Sequence, residues 1–265
     1  MNNLKKIKNI ILISSGKGGV GKSTVAVNLA LSLAREGCKT GILDADFYGP
    51  SIPIALGLEG RRVEIRQEGN QEKILPLEKY GIKVMSLGFL MNREDAVIWR
   101  GPMAANALTQ IIENTFWEEL DYLVIDMPPG TGDIPLTIVQ KIPQAKSVIV
   151  ITPQDIAIAD GVKAVKMYNS TGINIPIIGV VENMSYFIPE KHPDEKYYIF
   201  GKGGGVKLAK DYNLKLLTQI PLVKDVCENT DKGKSIFNSE NKELRRSYAL
   251  LVDNILAEEN VEICE

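Results

Sequence analysis

Short apolar runs recur along the chain, and stretches with apolar residues at helical spacing lie between several of them. Residues 9–14 (NIILIS), 40–44, 83–86, 122–126, 146–152 and 175–181 are rich in β-branched residues and apolar on both sides. A strand with one wet face alternates apolar and polar positions, whereas a strand covered on both faces stays apolar throughout. These runs therefore predict central parallel strands. Residues 22–36 put Val25, Leu29 and Leu33 at helical spacing, and Gly37 suits a helix stop. The same spacing marks 103–116, 135–141 and 156–170, and a terminal helix is predicted near 240–259. Such alternation predicts an α/β fold, a mostly parallel central sheet with helices on both faces, in one domain over 1–265. Residues 61–75 break the pattern with polar, alternating, glycine-containing sequence and predict a small hairpin insertion.

Composition narrows the class without naming it. Hydrophobic residues make up 45% of the 265, enough for a sizeable core, and the formal charge of -2 gives no basic footprint for nucleic acid. No apolar run approaches the roughly 20 residues that span a bilayer, so no membrane association is expected. The basic start is followed by too short an apolar run for a secretory leader. The expectation is a cytoplasmic protein. Its three cysteines, Cys38, Cys227 and Cys264, are far apart and form neither a disulfide framework nor a Cys-x-x-Cys pair.

The first strand runs into Ser15, Gly16, Lys17, Gly18, Gly19, Val20, Gly21, Lys22, Ser23 and Thr24, and a helix follows. Residues 16–23 match the phosphate loop G-x-x-x-x-G-K-[ST] in its strand–loop–helix context. Glycines let backbone N–H groups turn toward phosphate oxygens, and the helix offers its positive end. Lys22 is expected on the β- and γ-phosphates of ATP, and the Ser23 hydroxyl on Mg²⁺.

Two strands end in acid. Residues 40–44 lead into Asp44, Ala45 and Asp46, where ligands sit in open α/β sheets. Asp46 is placed to orient an attacking water and Asp44 to help hold metal-bound water. Residues 122–126 end in Asp126, a metal-side carboxylate in the Walker B pattern. The turn Pro128, Pro129, Gly130, Thr131, Gly132, Asp133 follows, a discrete loop able to sense a γ-phosphate. Asn183 ends a later strand with an amide that can both donate to and accept from a base.

The loop GKGGVGKST resembles the deviant phosphate loop shared by the nitrogenase iron protein, the division-site ATPases and the Mrp/ApbC iron–sulfur carriers. The strings DADFYGPSIP (44–53), MSLGFL (85–90), WRGPM (99–103), DMPPGTGD (126–133), TPQ (152–154), ENMS (182–185), FGKGGG (200–205) and IPL (220–222) resemble the Mrp/ApbC branch in particular. The resemblance implies a homodimeric ATPase in which Lys17 crosses to the partner's nucleotide. It also implies that Asn183 and Pro221 lie among the nucleotide-binding residues. It further implies delivery of an iron–sulfur cluster to apo-proteins, or work with an assembly scaffold, the cluster being held by a Cys-x-x-Cys pair shortly after ENMS. Here Pro189 and His192 stand where those cysteines belong, and His192 is the one histidine in the chain. The alternative is a metal-free, nucleotide-gated switch acting on a protein partner. A small-molecule kinase with an acceptor pocket near 50–60 is a third class.

Overall fold

The computed structural model describes residues 3–47, 49–68, 71–90, 101–192 and 194–258. After a 3-10 turn, strand β1 (Ile7–Ser14) enters the phosphate loop and helix α1 (Lys22–Arg35). Then come β2 (Thr40–Asp44), the short α2 (Ile52–Ala55), β3 (Glu64–Glu68), β4 (Gln71–Leu75), β5 (Leu77–Lys79) and β6 (Ile82–Ser86). Helix α3 (Gly101–Asn114), β7 (Leu120–Asp126), α4 (Asp133–Lys141), β8 (Lys146–Ile151), α5 (Asp155–Tyr168) and β9 (Ile177–Glu182) follow. The chain continues with α6 (Gly204–Asp211), β10 (Leu216–Gln219), α7 (Lys224–Asp231) and α8 (Lys242–Glu258).

Among the described residues, eight strands form one sheet in the order β10-β9-β8-β1-β7-β2-β6-β5. All neighbours are parallel except β5 and β6, an antiparallel edge pair. Tyr80 and Gly81 both have positive φ in the tight turn joining that pair, which suits the right-handed twist of a hairpin. A separate ribbon pairs Glu64–Glu68 with Gln71–Leu75.

Both sheet faces are covered. Successive strand side chains point to opposite sides. Val148 and Val150 accordingly join the main core, while Ile149 and Ile151 join a second cluster with Val180 and Leu208. Ile10 to Ile13 in β1 are all buried, which accounts for their unbroken apolarity.

Some boundaries and elements differ from the sequence reading. Strand β9 starts at Ile177 rather than at 175, because Ile175 N donates to Tyr168 O and Pro176 has no N–H for a ladder. Helix α7 buries no residue, so it carries no apolar stripe to be read. Strand β10 is only four residues long. Both escape a search for periodicity.

Candidate nucleotide site

Parallel register brings the polar strand ends level. Asp44 pairs in register with Asp126 on one side and Ser86 on the other, while Ile13 pairs with Asp126. The phosphate loop leaves β1 beside them. Gly130 N donates to Ser15 O (3.0 Å) and Met127 N to Ile13 O (3.0 Å), so the turn after Asp126 is stitched to the loop.

The glycines have separate physical reasons. Gly21 caps α1 at φ 81° and Gly19 lies at φ 82°, both left-handed. A Cβ on Gly16 would fall 1.8 Å from Asp160 O, so only glycine lets the start of the phosphate loop pass that close to α5. A Cβ on Gly18 or Gly19 would meet nothing within 4 Å, and both residues are exposed. Space is thus open on that side of the loop, and the backbone N–H groups of such a loop can receive an anion there.

Lys22 is buried, and its Nζ lies 2.6 Å from Asp126 Oδ1 and 4.0 Å from Asp46 Oδ2. Asp126 is fully buried, and its Oδ2 has no hydrogen-bond partner among the described residues. Burial pushes the Asp126 carboxyl above the ordinary carboxylate range, opposed by the Lys22 ammonium and the Ser23 hydroxyl. Asp44 is raised further, first by burial and then by the charge of Asp126. A cation would relieve both carboxylates. Magnesium needs only one or two carboxylates, since phosphate and water complete its shell. The Ser23 hydroxyl and the orphaned Asp126 Oδ2 fit that ion.

Asp44 is held differently from a direct metal ligand. Its Oδ1 accepts from Asp46 N (3.1 Å), and its Oδ2 accepts from Ile52 N (3.2 Å) and Ser86 Oγ (3.1 Å). Both oxygens are thus engaged by protein, which suits the metal-bound-water role over direct coordination. Asp46 sits at the mouth of the site with its side chain 15% exposed. Lys17 is half-buried on the loop, and Ser15 Oγ donates to its carbonyl (2.8 Å). Val20 is buried, and Thr24 lies in the first turn of α1.

The region expected to face the base lies against the same loop. Asn183 Nδ2 donates to Val20 O (2.9 Å), which uses one of the two hydrogens of its amide nitrogen. Buried Pro221 follows Ile220, whose carbonyl accepts from Ser185 N (2.9 Å). Glu182, fully buried, accepts from Gln219 Nε2 (2.7 Å), Ser185 Oγ (2.5 Å) and Gly205 N (2.5 Å). Sequence reasoning gave no role to Glu182 or Ser86. The available signal was a polar residue closing an apolar strand, the same signal that pointed to Asp44 and Asp126.

The residues expected near a cluster do not assemble a ligand set. Among the described residues no group of three or more His, Cys, Asp and Glu side chains could hold a metal ion. His192 is exposed, with Nδ1 3.4 Å from Glu195 Oε1, on a loop closed by paired bonds between Phe187 and Tyr197. Cys38 is buried and Cys227 is exposed. The Asp231 carboxylate beside Cys227 raises its thiol pKa and favours the protonated form, a poor iron ligand. Cys264, Tyr48, Trp99 and Arg100 lie outside the described residues. No described helix is long and apolar enough to cross a membrane. A 460 Å³ cavity lined by Lys6, Lys39, Glu78, Lys83 and Glu118 opens at the N-terminal ends of β2, β6 and β7, the opposite end of the sheet from the phosphate loop.

Known proteins resemble this chain in sequence and fold. Residues 6–256 match the family model described as ParA: NUBPL iron-transfer P-loop NTPase. The chain is 51% identical over 231 residues to the iron-sulfur cluster carrier protein of Aquifex aeolicus, covering 87% of this chain and 62% of that protein. It is 51% identical over 232 residues to the carrier protein of Pseudomonas fragi, covering 87% and 79%. It thus spans less than two thirds of the Aquifex relative's length. Among solved structures, a nucleotide-binding protein from Archaeoglobus fulgidus in complex with ADP superposes with TM-score 0.78 at 39% identity, over 93% of this chain and 94% of that one. The cell division ATPase MinD of Pyrococcus furiosus shares the fold, with TM-score 0.67 at 19% identity over 95% and 99% of the two chains.

Proposed function

The chain belongs to the NUBPL iron-transfer P-loop NTPase family of the ParA group, and on that premise we propose that it is a Mg²⁺-dependent, homodimeric ATPase acting in iron–sulfur cluster assembly or in delivery to apo-proteins. The observation that carries this reading is the meeting of Lys22, Asp44, Asp46 and Asp126 beside an open glycine cradle. The names of the relatives support the cluster side of the proposal.

In this reading residues 1–265 act as one P-loop domain in the cytoplasm. Backbone N–H groups of Gly18 to Lys22 hold the phosphates, and Lys22 exchanges Asp126 for phosphate oxygens. Ser23 and Asp126 would hold Mg²⁺, and that ion would supply charge neutralisation for the phosphates. Asp44 would help hold the water that completes the ion's shell. Asp46 orients the attacking water; the water's oxygen bonds to the γ-phosphorus as the bond to the β–γ bridging oxygen breaks, and the water's proton passes to a phosphoryl oxygen, giving ADP and phosphate. Lys17 reaches the nucleotide of a second copy, and Asn183 and Pro221 contact the base. No ligation step is assigned to the cluster, which is cargo here, because the described side chains offer no ligand set for it.

That same absence of a ligand set among the described residues favours a second reading, a nucleotide-gated switch on a protein partner. Two assays separate them. Mg²⁺-dependent ATP hydrolysis is expected, lost in Lys22→Ala; equal hydrolysis by the variant would sink the ATPase assignment. Anaerobic incubation with iron, sulfide and an apo iron–sulfur protein is expected to load the apo-protein faster when this protein and ATP are added. Unchanged loading alongside intact hydrolysis would leave the switch reading.

A further inference from the structure

Asp44 takes two hydrogen bonds from the stretch that follows it in sequence, from Asp46 N and from Ile52 N at the start of α2. Its third donor, Ser86 Oγ at 3.1 Å, belongs to a neighbouring strand. Ser86 is fully buried and in register with Asp44, directly across from Asp126 on the other flank of β2. Its hydroxyl is not free to turn away. It accepts from Gly88 N (3.1 Å), capping the 3-10 turn Leu87–Phe89, and that engaged lone pair directs its hydrogen to Asp44.

We propose that Ser86 is a positioning residue for ATP hydrolysis, fixing the Asp44 carboxylate relative to the sheet so that the loop clasped to it presents Asp46 at the γ-phosphate. The inference rests on the ATPase reading above. Ser86 is bonded to Asp44 and Gly88 and has no part in the phosphate and metal set assigned above. Its effect runs through the rotation of one carboxylate and, by the bond from Asp46 N, through the backbone that carries Asp46. A small misplacement of a water-orienting group lowers turnover strongly while substrate binding, which depends on the glycine cradle and Lys22, is untouched. The same bonds tie this loop to the segment after β6, so a shift at either is felt by the other.

Steady-state ATP hydrolysis and ADP affinity measured on wild type, Ser86→Ala and Ser86→Thr test this. Ser86→Ala is expected to lower kcat about tenfold with the KM for ATP and the Kd for ADP within about twofold of wild type. Ser86→Thr, which keeps the hydroxyl, is expected to recover most of the loss. Overturning results are a kcat for Ser86→Ala within about twofold of wild type, a parallel loss of ADP affinity that marks general damage, or a threonine variant as slow as the alanine one. Absence of hydrolysis in the wild-type protein would instead remove the ATPase reading itself and this inference with it.

Discussion

Lys22 Nζ lies 2.6 Å from Asp126 Oδ1, with both side chains buried at the end of the sheet. Removing one member of a buried pair leaves a desolvated charge, at a cost of about 3 kcal/mol or more. Lys22→Ala should therefore destabilise the nucleotide-free protein as well as abolish nucleotide binding. Asp126→Asn added to it should return much of the lost stability without restoring binding. Urea unfolding of the two single variants and the double variant measures the coupling. Additive losses would mean that the pair contributes nothing to the empty fold.

Gly16 and Gly18 should separate fold from cradle. Alanine at 16 collides with the α5 backbone at Asp160 and should destabilise by about 1–3 kcal/mol. Alanine at 18 meets nothing within 4 Å and should change stability by less than about 0.5 kcal/mol, yet weaken ADP binding because its methyl enters the phosphate space. Thermal melts and ADP titration check both. Unchanged affinity in Gly18→Ala would place the phosphates elsewhere.

Stability in the absence of nucleotide and Mg²⁺ should carry the mark of Asp44. Its carboxyl is held well above the ordinary aspartate range by burial and by the charge of Asp126. A raised carboxyl contributes stability that is fully present below the unfolded value, about pH 4, and is lost as pH rises through the folded value. The unfolding free energy of wild type minus that of Asp44→Ala should fall as pH climbs from about 4 toward neutrality. Urea unfolding at stepped pH reads it, and a flat or rising difference would contradict the buried-charge account.

Lys17 is half-buried on the loop, and the bond it receives from Ser15 Oγ is made by its carbonyl, which an alanine keeps. Lys17→Ala should keep ADP affinity while lowering hydrolysis and ATP-linked dimerisation, read by phosphate release and by sedimentation with and without ATP. Wild-type values for both would make Lys17 an ordinary loop charge.

Much of the fold was legible because its determinants are local. Strands buried on both faces must be apolar without alternation, and 9–14, 40–44 and 122–126 declare themselves that way. The phosphate loop is local too, since its glycines, lysine and serine act within one strand–loop–helix unit. Helix α7 and strands β5 and β10 were not legible, because a polar surface helix and short edge or end strands bury too little to leave a period.

The sequence by itself determined the phosphate loop, the acidic strand ends and the parallel α/β class. Tertiary structure alone decided which groups meet. Lys22 and Asp126 are 104 residues apart, and Asp44 and Ser86 are 42 apart. Register across β6, β2 and β7 brings Ser86, Asp44 and Asp126 level. Only in that arrangement does burial raise both carboxyls, leave Asp126 Oδ2 without a hydrogen-bond partner among the described residues, and bring a serine at a strand end into a bond with Asp44. The physical reason is that burial and charge proximity belong to the packed sheet, whereas apolar periodicity and loop chemistry belong to the chain.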